Sequence, residues 1–417
     1  MHKDRKISSI ESVVQFQLCT GCGLCQYLEP DRYKIVNIPE LGNRPIAIDS
    51  SIREPGDAYI ACPGHTLTHD NNLQSDKSIT QDWGPILEIW EGYATDSKIR
   101  FSGSSGGLAT AISAFCIEKK GMEGALHISA RNDNPIYNET VFSRTSSELI
   151  ARSGSRYSPA SPCDSLDKIE FSENPCVFIG KPCDVAAVTN ATKIREQLKK
   201  NVGIKLAFFC AGVPSTYGTE KLIKKFGITD FKNIKTLRYR GKGWPGCFSV
   251  ETNTKDEDSD INLSYQESWA YLQQFRQWRC YICPDHTGEF ADIAVGDPWY
   301  RPIKEHEEGS SLIVVRTEVG RKILKEAVSA GYVTLTQQND DILPLSQKNL
   351  LNVRRSLWGR LITLRLLGAG TPSFTGFNLY ESWRDNLNFR EKILSILSTA
   401  KRIYKKGLRN KLKIPNM

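Results

Sequence analysis

Short apolar runs alternate with amphipathic segments through the middle of the chain. Apolar runs predict strands at 86–94, 125–130, 175–179, 204–209 and 313–316, and helical periodicity predicts helices at 108–120, 185–200 and 320–329. In the first of these helices, Leu108, Ile112, Phe115 and Cys116 fall at positions i, i+4, i+7 and i+8, on one face. Strands that alternate with helices in this way predict an α/β body.

The two ends of the chain differ from this middle part. Residues 1–75 are rich in Cys, Pro, Gly and Asp and contain few periodic segments, and the polar run at 69–76 predicts a linker. Near the other end, residues 390–413 predict a helix with apolar and basic sides. The apolar side has Ile393, Leu397, Ala400, Tyr404 and Leu408, and the basic side has Lys401, Arg402, Lys405, Lys406 and Arg409.

Two interpretations of this basic amphipathic helix stay open. The apolar stripe packs against the body and leaves a solvated basic face, which is the common arrangement of terminal helices. Alternatively, the helix contacts a membrane surface or an acidic partner, because basic amphipathic helices are also typical of peripheral membrane anchors.

Composition narrows the class of protein. The chain has 417 residues, 40% of them hydrophobic and 24% charged, as expected for a globular protein of two or three domains. The sequence has no run of about 18 apolar residues, so it predicts no transmembrane helix. Because the N-terminus also lacks the apolar region of a secretory signal, we expect a cytoplasmic protein. Residues 354–417 carry 14 basic and 3 acidic side chains, which account for more than the net charge of +8. The rest of the chain is slightly acidic, and this argues against nucleic acid as a partner.

Twelve cysteines in such a chain favour reduced, metal-binding thiols over disulfides. Cys19, Cys22 and Cys25 form a C-x2-C-x2-C run typical of bacterial ferredoxins, and Cys62 precedes a proline, as the last ferredoxin ligand does. We predict that these four residues hold one [4Fe–4S] cluster. A four-thiolate zinc site is the alternative, although zinc sites favour paired C-x2-C motifs.

A second set of cysteines lies in the body. Cys280 and Cys283 form a C-x2-C pair, while Cys183 and Cys210 follow predicted strands. Because sites in α/β sheets form where strands end, these residues are candidates to converge at one sheet edge. Isolated cysteines are more often small core residues, and this interpretation applies to Cys116, Cys163, Cys176 and Cys247.

Glycine-rich loops are candidates for cofactor binding. One loop runs directly into the helix predicted at 108–120, and free backbone N–H groups at such a helix start bind anions; its residues are Ser102, Gly103, Ser104, Ser105, Gly106 and Gly107. Loops 154–159 and 240–246 add a cation and aromatic rings to permissive backbone. Each loop alone is equally typical of an exposed turn with no ligand.

Taken together, eight segments of the chain resemble the coenzyme F-420 hydrogenase/dehydrogenase beta-subunit family, whose relatives include 7-hydroxymethyl chlorophyll a reductase. In family order they are CTGCGLC, FSGSSGGLAT, GSRYSPA, IGKPCDVAA, FFCAG, YRGKGWPG, WRCYICPD and ADIAVGDPW. The resemblance implies a ferredoxin-like iron–sulfur segment (1–75), a mixed α/β flavin-binding body (84–165 and 166–345) and a C-terminal helical tail (346–417). It also implies FAD beside one [4Fe–4S] cluster and a second such cluster in the N-terminal segment.

The resemblance also implies roles for particular residues. Cys183, Cys210, Cys280 and Cys283 would hold the cluster near the flavin, and the flavin contacts would be the 102–107 loop, Ser155, Arg156, Tyr157, Ser158 and Lys181. Asp292 and Asp297 match family motifs without an assignable chemical role. Residues 26–29 lack the cysteines of the chlorophyll-pathway relatives, and the C-terminal layout is more similar to bacterial members encoded with surface-polysaccharide synthesis proteins.

The predicted function is a flavin- and iron–sulfur-dependent oxidoreductase. Electrons would pass from ferredoxin or a similar donor through both clusters to FAD and on to a small-molecule or lipid-linked substrate. No catalytic acid is assigned, although His286 lies beside the second cysteine motif. The alternatives are an electron-transfer beta subunit that exchanges electrons with a deazaflavin carrier, and a zinc-stabilised interaction protein. A homo-oligomer is compatible with the sequence.

Overall fold

A computed structural model describes residues 7–48, 55–69, 79–253, 261–304 and 307–414. Of the linker predicted at 69–76, residues 70–76 lie outside the described residues, as do the last three residues of the tail. The strands, numbered along the chain, are β1 (Tyr33–Ile38), β2 (Gly42–Ala47), β3 (Thr66–Thr68), β4 (Glu88–Ala94), β5 (Ala125–Ala130), β6 (Asn138–Ser143), β7 (Cys176–Gly180), β8 (Val202–Phe208), β9 (Ile234–Arg238), β10 (Cys247–Thr252), β11 (Ile261–Ser264), β12 (Ile293–Gly296), β13 (Ser311–Val315), β14 (Val333–Gln337) and β15 (Ser373–Thr375).

Helices surround these strands. They are α1 (Ile10–Gln15), α2 (Leu24–Leu28), α3 (Asp57–Ile60), α4 (Ile79–Trp83), α5 (Ser97–Ser102), α6 (Leu108–Lys120), α7 (Ser146–Ala151), α8 (Asp167–Glu170), α9 (Pro182–Ala191), α10 (Glu196–Asn201), α11 (Thr216–Lys224), α12 (Tyr265–Leu272), α13 (Trp278–Tyr281), α14 (Glu318–Ser329), α15 (Ile342–Ser346), α16 (Lys348–Arg355), α17 (Leu357–Leu366), α18 (Leu379–Asn386) and α19 (Phe389–Lys405). Within the described part of the chain, no helix is long and apolar enough to cross a lipid bilayer.

An eight-stranded mixed sheet forms the centre of the fold. Its strand order is β14-β4-β13-β12-β8-β7-β5-β6. The four strands β12, β8, β7 and β5 are parallel, and antiparallel strands close the sheet on both sides. The predicted α/β body is therefore confirmed. The order of the strands and the mixture of parallel and antiparallel pairs were not predicted from the sequence pattern.

Both faces of this sheet are buried. Successive residues of a strand point to opposite sides, so neighbouring residues show what covers each face. In β7, Val177 packs on the side of α6 and α14, whereas Phe178 packs against α9 and the N-terminal segment. This two-sided burial explains why the parallel strands are continuous apolar runs rather than alternating ones.

The helix predicted at 185–200 is divided in two, so the prediction of one continuous helix is wrong. Tight hydrogen bonds from Lys193 N to Asn190 O (3.2 Å) and from Ile194 N to Ala191 O (3.0 Å) end α9. The hydroxyl of Thr192 donates to the carbonyl of Thr189 (2.9 Å). Side-chain bonds of this kind compete with the helical backbone ladder and favour a turn, from which α10 starts in a new direction.

The two ends of the chain are joined to each other and to the body. β3 and β15 pair in parallel, with Thr66 opposite Ser373, and Leu18 shares a hydrophobic cluster with Leu357 and Ile403. On its other side, the N-terminal segment packs through Leu24 into the cluster beneath the central sheet. The segment therefore belongs to a common core, and its ferredoxin-like character stays a prediction.

α19 packs against α17 by a different face from the predicted one. The buried residues are Ser395, Thr399 and Ile403, whereas the predicted apolar stripe faces outward at Ile393, Leu397 and Tyr404. Gly359 of α17 is the physical reason. A Cβ atom at this position would lie 2.2 Å from the Ser395 Oγ, so the glycine and the small serine together allow the two helices a close approach. The predicted range 390–413 is too long, because α19 ends before Gly407, which has a φ of 62°, and Leu408 of the predicted stripe is buried beyond the helix.

Candidate functional site

The carboxyl ends of the parallel strands meet at one edge of the central sheet. Lys181 and Cys183 follow β7, Cys210 follows β8 and Asp297 follows β12. Gly180 is paired with Ala207, so the ends of β7 and β8 lie side by side. This is the edge at which ligands bind in open α/β sheets.

A cavity of about 290 Å³ opens at this edge. Its volume is close to the lower end of the range of about 300–1,000 Å³ that is typical of small-molecule sites. Among the predicted cofactor-binding residues, those that line it are Gly103, Ser104, Ser105, Gly107, Ser155, Arg156, Tyr157, Ser158 and Lys181. The structure thus brings two loops that are distant in the sequence into one wall, while Ser102 and Gly106 are not part of the lining.

Gly106 fixes the first loop from behind. Its N–H donates to Ser311 Oγ (2.8 Å) and its carbonyl accepts from the Ala94 N–H (2.7 Å). A Cβ atom at this position would lie 2.6 Å from the carbonyl oxygen of Gly92 and 2.9 Å from the backbone nitrogen of Ser311. Only glycine fits, because backbone atoms of two strands enclose the position.

The loop ends at the N-terminus of α6, which faces the cavity. Gly107 has a φ of 73°, and no side chain caps the helix start. Leu108, Ala109 and Thr110, the first three residues of the helix, line the cavity. Their backbone N–H groups have no partner within the helix, so this wall offers hydrogen-bond donors and a positive dipole end to an anion.

Arg156 lines the cavity, but its guanidinium is occupied by the protein. It donates to Asn138 Oδ1 (2.7 Å), to the carbonyl of Leu237 (2.6 Å) and to the carbonyl of Pro135. The side chain therefore ties the 154–159 loop to β9, and the charge that we expected to face a flavin is directed into the protein.

Lys181 supplies a cation at the cavity wall. Its ammonium donates to Asp184 Oδ2 (2.6 Å) and to the carbonyl of Ala160 (3.4 Å). Burial works against the charge, but the Asp184 carboxylate and the neighbouring Cys183 outweigh it and raise the pKa of Lys181.

A buried ion pair lies across the cavity. Arg240 donates through two nitrogens to the two carboxylate oxygens of Asp297 (2.7 and 2.8 Å), and the indole N–H of Trp244 donates to the same carboxylate (2.9 Å). Asp297, to which sequence reasoning gave no chemical role, therefore fixes the 240–246 loop. The pairing could not be found from the sequence, since the two residues are 57 positions apart.

Aromatic side chains form a further wall. Trp299 stacks on Tyr265 with ring centroids 5.6 Å apart and planes within 3°, and Tyr157 contacts Trp269 at 5.1 Å. All four rings line the cavity. Such a wall offers a planar ring ligand an apolar stacking surface. No local pattern predicts that Tyr157, Tyr265, Trp269 and Trp299 converge, because they come from three segments that are far apart in the chain.

Two further candidates have structural roles. Asp292 accepts from the Lys205 N–H (2.7 Å) and from the Thr317 hydroxyl (2.7 Å), which joins β8 to the start of α14. His286 is hydrogen-bonded through Nδ1 to the carbonyl of Cys210 (2.7 Å), and burial lowers the pKa of this imidazole to about 4. These contacts assign no acid catalyst.

The four N-terminal cysteines surround a second, small pocket. Cys19, Cys22, Cys25 and Cys62 all line it. Burial raises the pKa of Cys25, and the neighbouring thiols of Cys19, Cys22 and Cys62 raise it further. Gly23, with a φ of 91°, turns the chain between them, and a Cβ atom there would lie 2.8 Å from the backbone nitrogen of Asp164.

The other four cysteines come together from three elements. Cys183 lies in the first turn of α9, Cys210 follows β8, and the pair Cys280 and Cys283 flanks the end of α13. Burial and the charges of Cys280 and Cys283 raise the pKa of Cys210 to about 12. Cys210 also lines the large cavity, so this group adjoins it. Among the residues that the structure describes, no three His, Cys, Asp or Glu side chains lie close enough to hold a single metal ion.

Two buried arginines lie between the cysteine groups. Arg44 donates to Gln277 Oε1 (2.9 Å). Burial lowers the pKa of its guanidinium, while the charges of Cys19 in one group and of Cys280 in the other raise it by a smaller amount. Arg279 donates to the carbonyl of Pro63, beside the first group, and to that of Ile282, within the second (3.2 and 3.0 Å). Both side chains are 3% exposed, and neither was singled out from the sequence.

A comparison with solved structures shows that another protein shares this fold. The structure is similar to a chain of the F420-reducing [NiFe] hydrogenase complex from Methanosarcina barkeri, with a TM-score of 0.52 and 19% identity over 69% of this chain and 96% of that chain. At this identity the likeness shows a shared fold. That fold is the one found in one chain of a multi-subunit oxidoreductase.

The sequence comparisons identify the family. Residues 89–167 match the model for the N-terminal part of the coenzyme F420 hydrogenase/dehydrogenase beta subunit, and residues 174–341 match the model for its C-terminal part. Together they span more than half of the chain. The chain therefore belongs to the coenzyme F420 hydrogenase/dehydrogenase beta-subunit family, as the sequence motifs predicted.

Individual relatives are similar over most of the body. The chain is 26% identical to the coenzyme F420 hydrogenase subunit beta of Methanothermobacter thermautotrophicus, over 60% of this chain and 83% of that protein. It is 24% identical to the F420-dependent formate dehydrogenase subunit beta of Methanocaldococcus jannaschii, over 61% of this chain and 63% of that protein. It is 23% identical to the coenzyme F420 hydrogenase subunit beta of Methanosarcina barkeri, over 60% of this chain and 81% of that protein.

Proposed function

We propose that this chain is an electron-transfer subunit of an oxidoreductase that exchanges electrons with the deazaflavin carrier coenzyme F420. Each of the two cysteine groups would hold one [4Fe–4S] cluster, and the cavity at the sheet edge would hold FAD. The observation that carries the proposal is the position of Cys210, which belongs to the second cysteine group and to the wall of the cavity.

The residues present fit these groups. Each cluster would have four thiols, and the first group has the C-x2-C-x2-C spacing of ferredoxins. The cavity combines an uncapped helix start for phosphate, the Lys181 cation and an aromatic wall for a planar ring. When bound, the clusters supply one-electron transfer and the flavin couples it to two-electron chemistry.

The relatives determine which of our alternatives we favour. The hydrogenase and formate dehydrogenase subunits that resemble this chain carry the name of coenzyme F420. The ferredoxin donor and the small-molecule or lipid-linked substrate that we expected from the sequence have no counterpart in those names. We therefore propose exchange with F420 in their place, and further subunits as partners.

The experiment that tests this function is anaerobic purification of the full chain, with quantification of metal, sulfide and flavin. We expect about eight iron atoms, about eight sulfides and about one FAD per chain. Under anaerobic conditions, addition of reduced F420 should then decrease the visible absorbance band of the bound flavin. A protein that contains zinc and no flavin would overturn the proposal. A protein with both clusters and flavin that is reduced by ferredoxin but not by F420 would instead support the oxidoreductase with an organic substrate.

Gly106→Ala tests whether the loop at 102–107 forms the flavin site. We expect flavin affinity to fall by about tenfold or more, because the added methyl group meets backbone atoms of two strands that cannot give way. Flavin content after anaerobic purification and a flavin titration measure the effect. Gly121→Ala, at the opposite end of α6, is the control: its methyl group meets open space, and the strain from the left-handed φ of 67° acts at the helix end away from the cavity. Equal flavin affinity in the two variants would contradict the assignment.

Arg44→Gln and Arg279→Gln test the charges between the cysteine groups. Reduction adds negative charge to a cluster, so removal of a buried cation makes reduction less favourable. We expect the midpoint potential to become more negative by about 50–100 mV, which corresponds to a buried charge interaction of about 1–2 kcal/mol. A redox titration followed by electron paramagnetic resonance measures it. Lys34→Gln removes an exposed cation of β1 and should leave the potentials unchanged; equal shifts in all three variants would refute a specific role.

A further inference from the structure

The outward face of α19 is apolar along its centre. Phe389, Ile393, Leu397 and Tyr404 are exposed to 79%, 38%, 60% and 61%. At 100° per residue these four positions lie within one quadrant of the helix surface, so they form a continuous stripe. A continuous apolar stripe on the surface indicates an interaction site rather than scattered exposure.

Basic residues border this stripe. Arg390, Lys401 and Lys405 are exposed and project on its flank, next to Leu394, and they form no ion pair in the described part of the chain. Residues 390–413 contain nine basic side chains and a single acidic one. That residue, Glu391, points away from the stripe and accepts from the Asn388 N–H (2.9 Å) at the helix cap. The face is therefore apolar and positive.

The inner side of α19 holds the helix in this orientation. The indole N–H of Trp383 donates to Ser395 Oγ (3.1 Å), and Ser395 lies against Gly359 of α17. Arg402 lies over the ring of Tyr281, 5.6 Å from the ring centroid. In the sequence, Tyr281 lies between Cys280 and Cys283. A rotation that buried the apolar stripe would break these contacts, so the stripe stays available to a partner outside the chain.

We propose that this face of α19 docks on an anionic lipid surface, with the helix axis parallel to the membrane plane. Leucine, isoleucine and aromatic side chains would enter the boundary between headgroups and acyl chains, while Arg390, Lys401 and Lys405 contact the anionic headgroups. Charge complementarity favours this occupant, because Arg390, Lys401 and Lys405 border one flank of the apolar stripe, and Glu391, the one acidic residue of α19, lies on the far side of the helix. The inference goes beyond the proposed electron transfer and does not depend on it.

The test is sedimentation of the full, anaerobically purified chain with lipid vesicles. We expect binding to vesicles of phosphatidylcholine mixed with phosphatidylglycerol, weaker binding to phosphatidylcholine alone, and loss of binding at high salt. Leu397→Asp, and separately the double variant Lys401→Glu/Lys405→Glu, should each lower the affinity for anionic vesicles by about tenfold or more. All three positions are exposed, so the variants should keep the wild-type iron and flavin content.

Matched controls come from α14, which also has exposed apolar and basic residues. Val328→Asp and Lys322→Glu should leave vesicle binding unchanged. If the wild-type chain fails to bind anionic vesicles, or if the α14 and α19 variants behave alike, the proposal is overturned. It is also overturned if light scattering shows a dimer that Leu397→Asp dissociates while vesicles bind neither form, since the occupant is then a second copy of the chain.

Discussion

Cys25→Ala is expected to remove one complete cluster, about four iron atoms and about four sulfides per chain, from the anaerobically purified protein. Cys25 lines the N-terminal pocket with Cys19, Cys22 and Cys62, and it is buried, so no solvent ligand can replace its thiolate without opening the pocket. Iron and sulfide analysis measures the loss. The flavin should remain, because the large cavity does not include this residue.

Cys163→Ala is the matched control for this prediction. Cys163 is also buried; its backbone N–H donates to the carbonyl of Cys22 (2.9 Å), and its thiol donates to the carbonyl of Asp184 (3.4 Å). The sequence interpretation makes it a core residue rather than a ligand. We therefore expect the Cys163→Ala protein to keep its full iron content. Loss of iron from this variant, or full retention in Cys25→Ala, would show that the assignment of the four ligands is wrong.

Asp297→Ala is expected to lower the free energy of unfolding by about 3–5 kcal/mol, because it leaves the buried Arg240 cation without its carboxylate. Arg240 is 3% exposed and also donates to the carbonyl of Pro245 in the 240–246 loop (2.8 Å). Loss of the Asp297 carboxylate should release this loop, open the cavity wall and weaken flavin binding. Denaturant unfolding of the apoprotein and a flavin titration measure the two effects separately.

The control for this prediction is a salt bridge on the surface. Arg131 and Asp133 form an ion pair with both side chains largely exposed, so water screens the two charges. Asp133→Ala should therefore leave the free energy of unfolding nearly unchanged. If the two aspartate variants are equally stable, the Arg240–Asp297 pair does not hold the cavity wall.

Local sequence signals predicted elements whose ends are set by neighbouring residues. α6 has the predicted bounds, because Gly107 before it and Gly121 after it both adopt left-handed conformations, with φ of 73° and 67°, that end the helix at each side. The eight motifs likewise predicted the family that the comparisons confirmed. The predicted ligands and flavin contacts stay predictions until the metal and flavin analyses are made.

Contacts between distant residues were beyond the reach of the same reasoning. Arg240 and Asp297 meet because β12 ends beside the 240–246 loop, and Arg44 lies between two cysteine groups that are far apart in the chain. The predicted apolar stripe of the C-terminal helix is confirmed at Ile393, Leu397 and Tyr404 but not at Leu408, and its outward direction depends on Gly359, a residue of another helix. No periodicity in α19 itself contains that information.

By itself, the sequence determined the α/β class, the family and the spacing of the cysteines, since these depend on residues that are close in the chain or on motifs in a fixed order. The tertiary structure decided which strands pair, which loops share a cavity, which charges compensate one another and which face of α19 meets the solvent. These properties depend on where distant surfaces fit together, and close packing of that kind is set by side-chain volume and backbone approach rather than by local pattern.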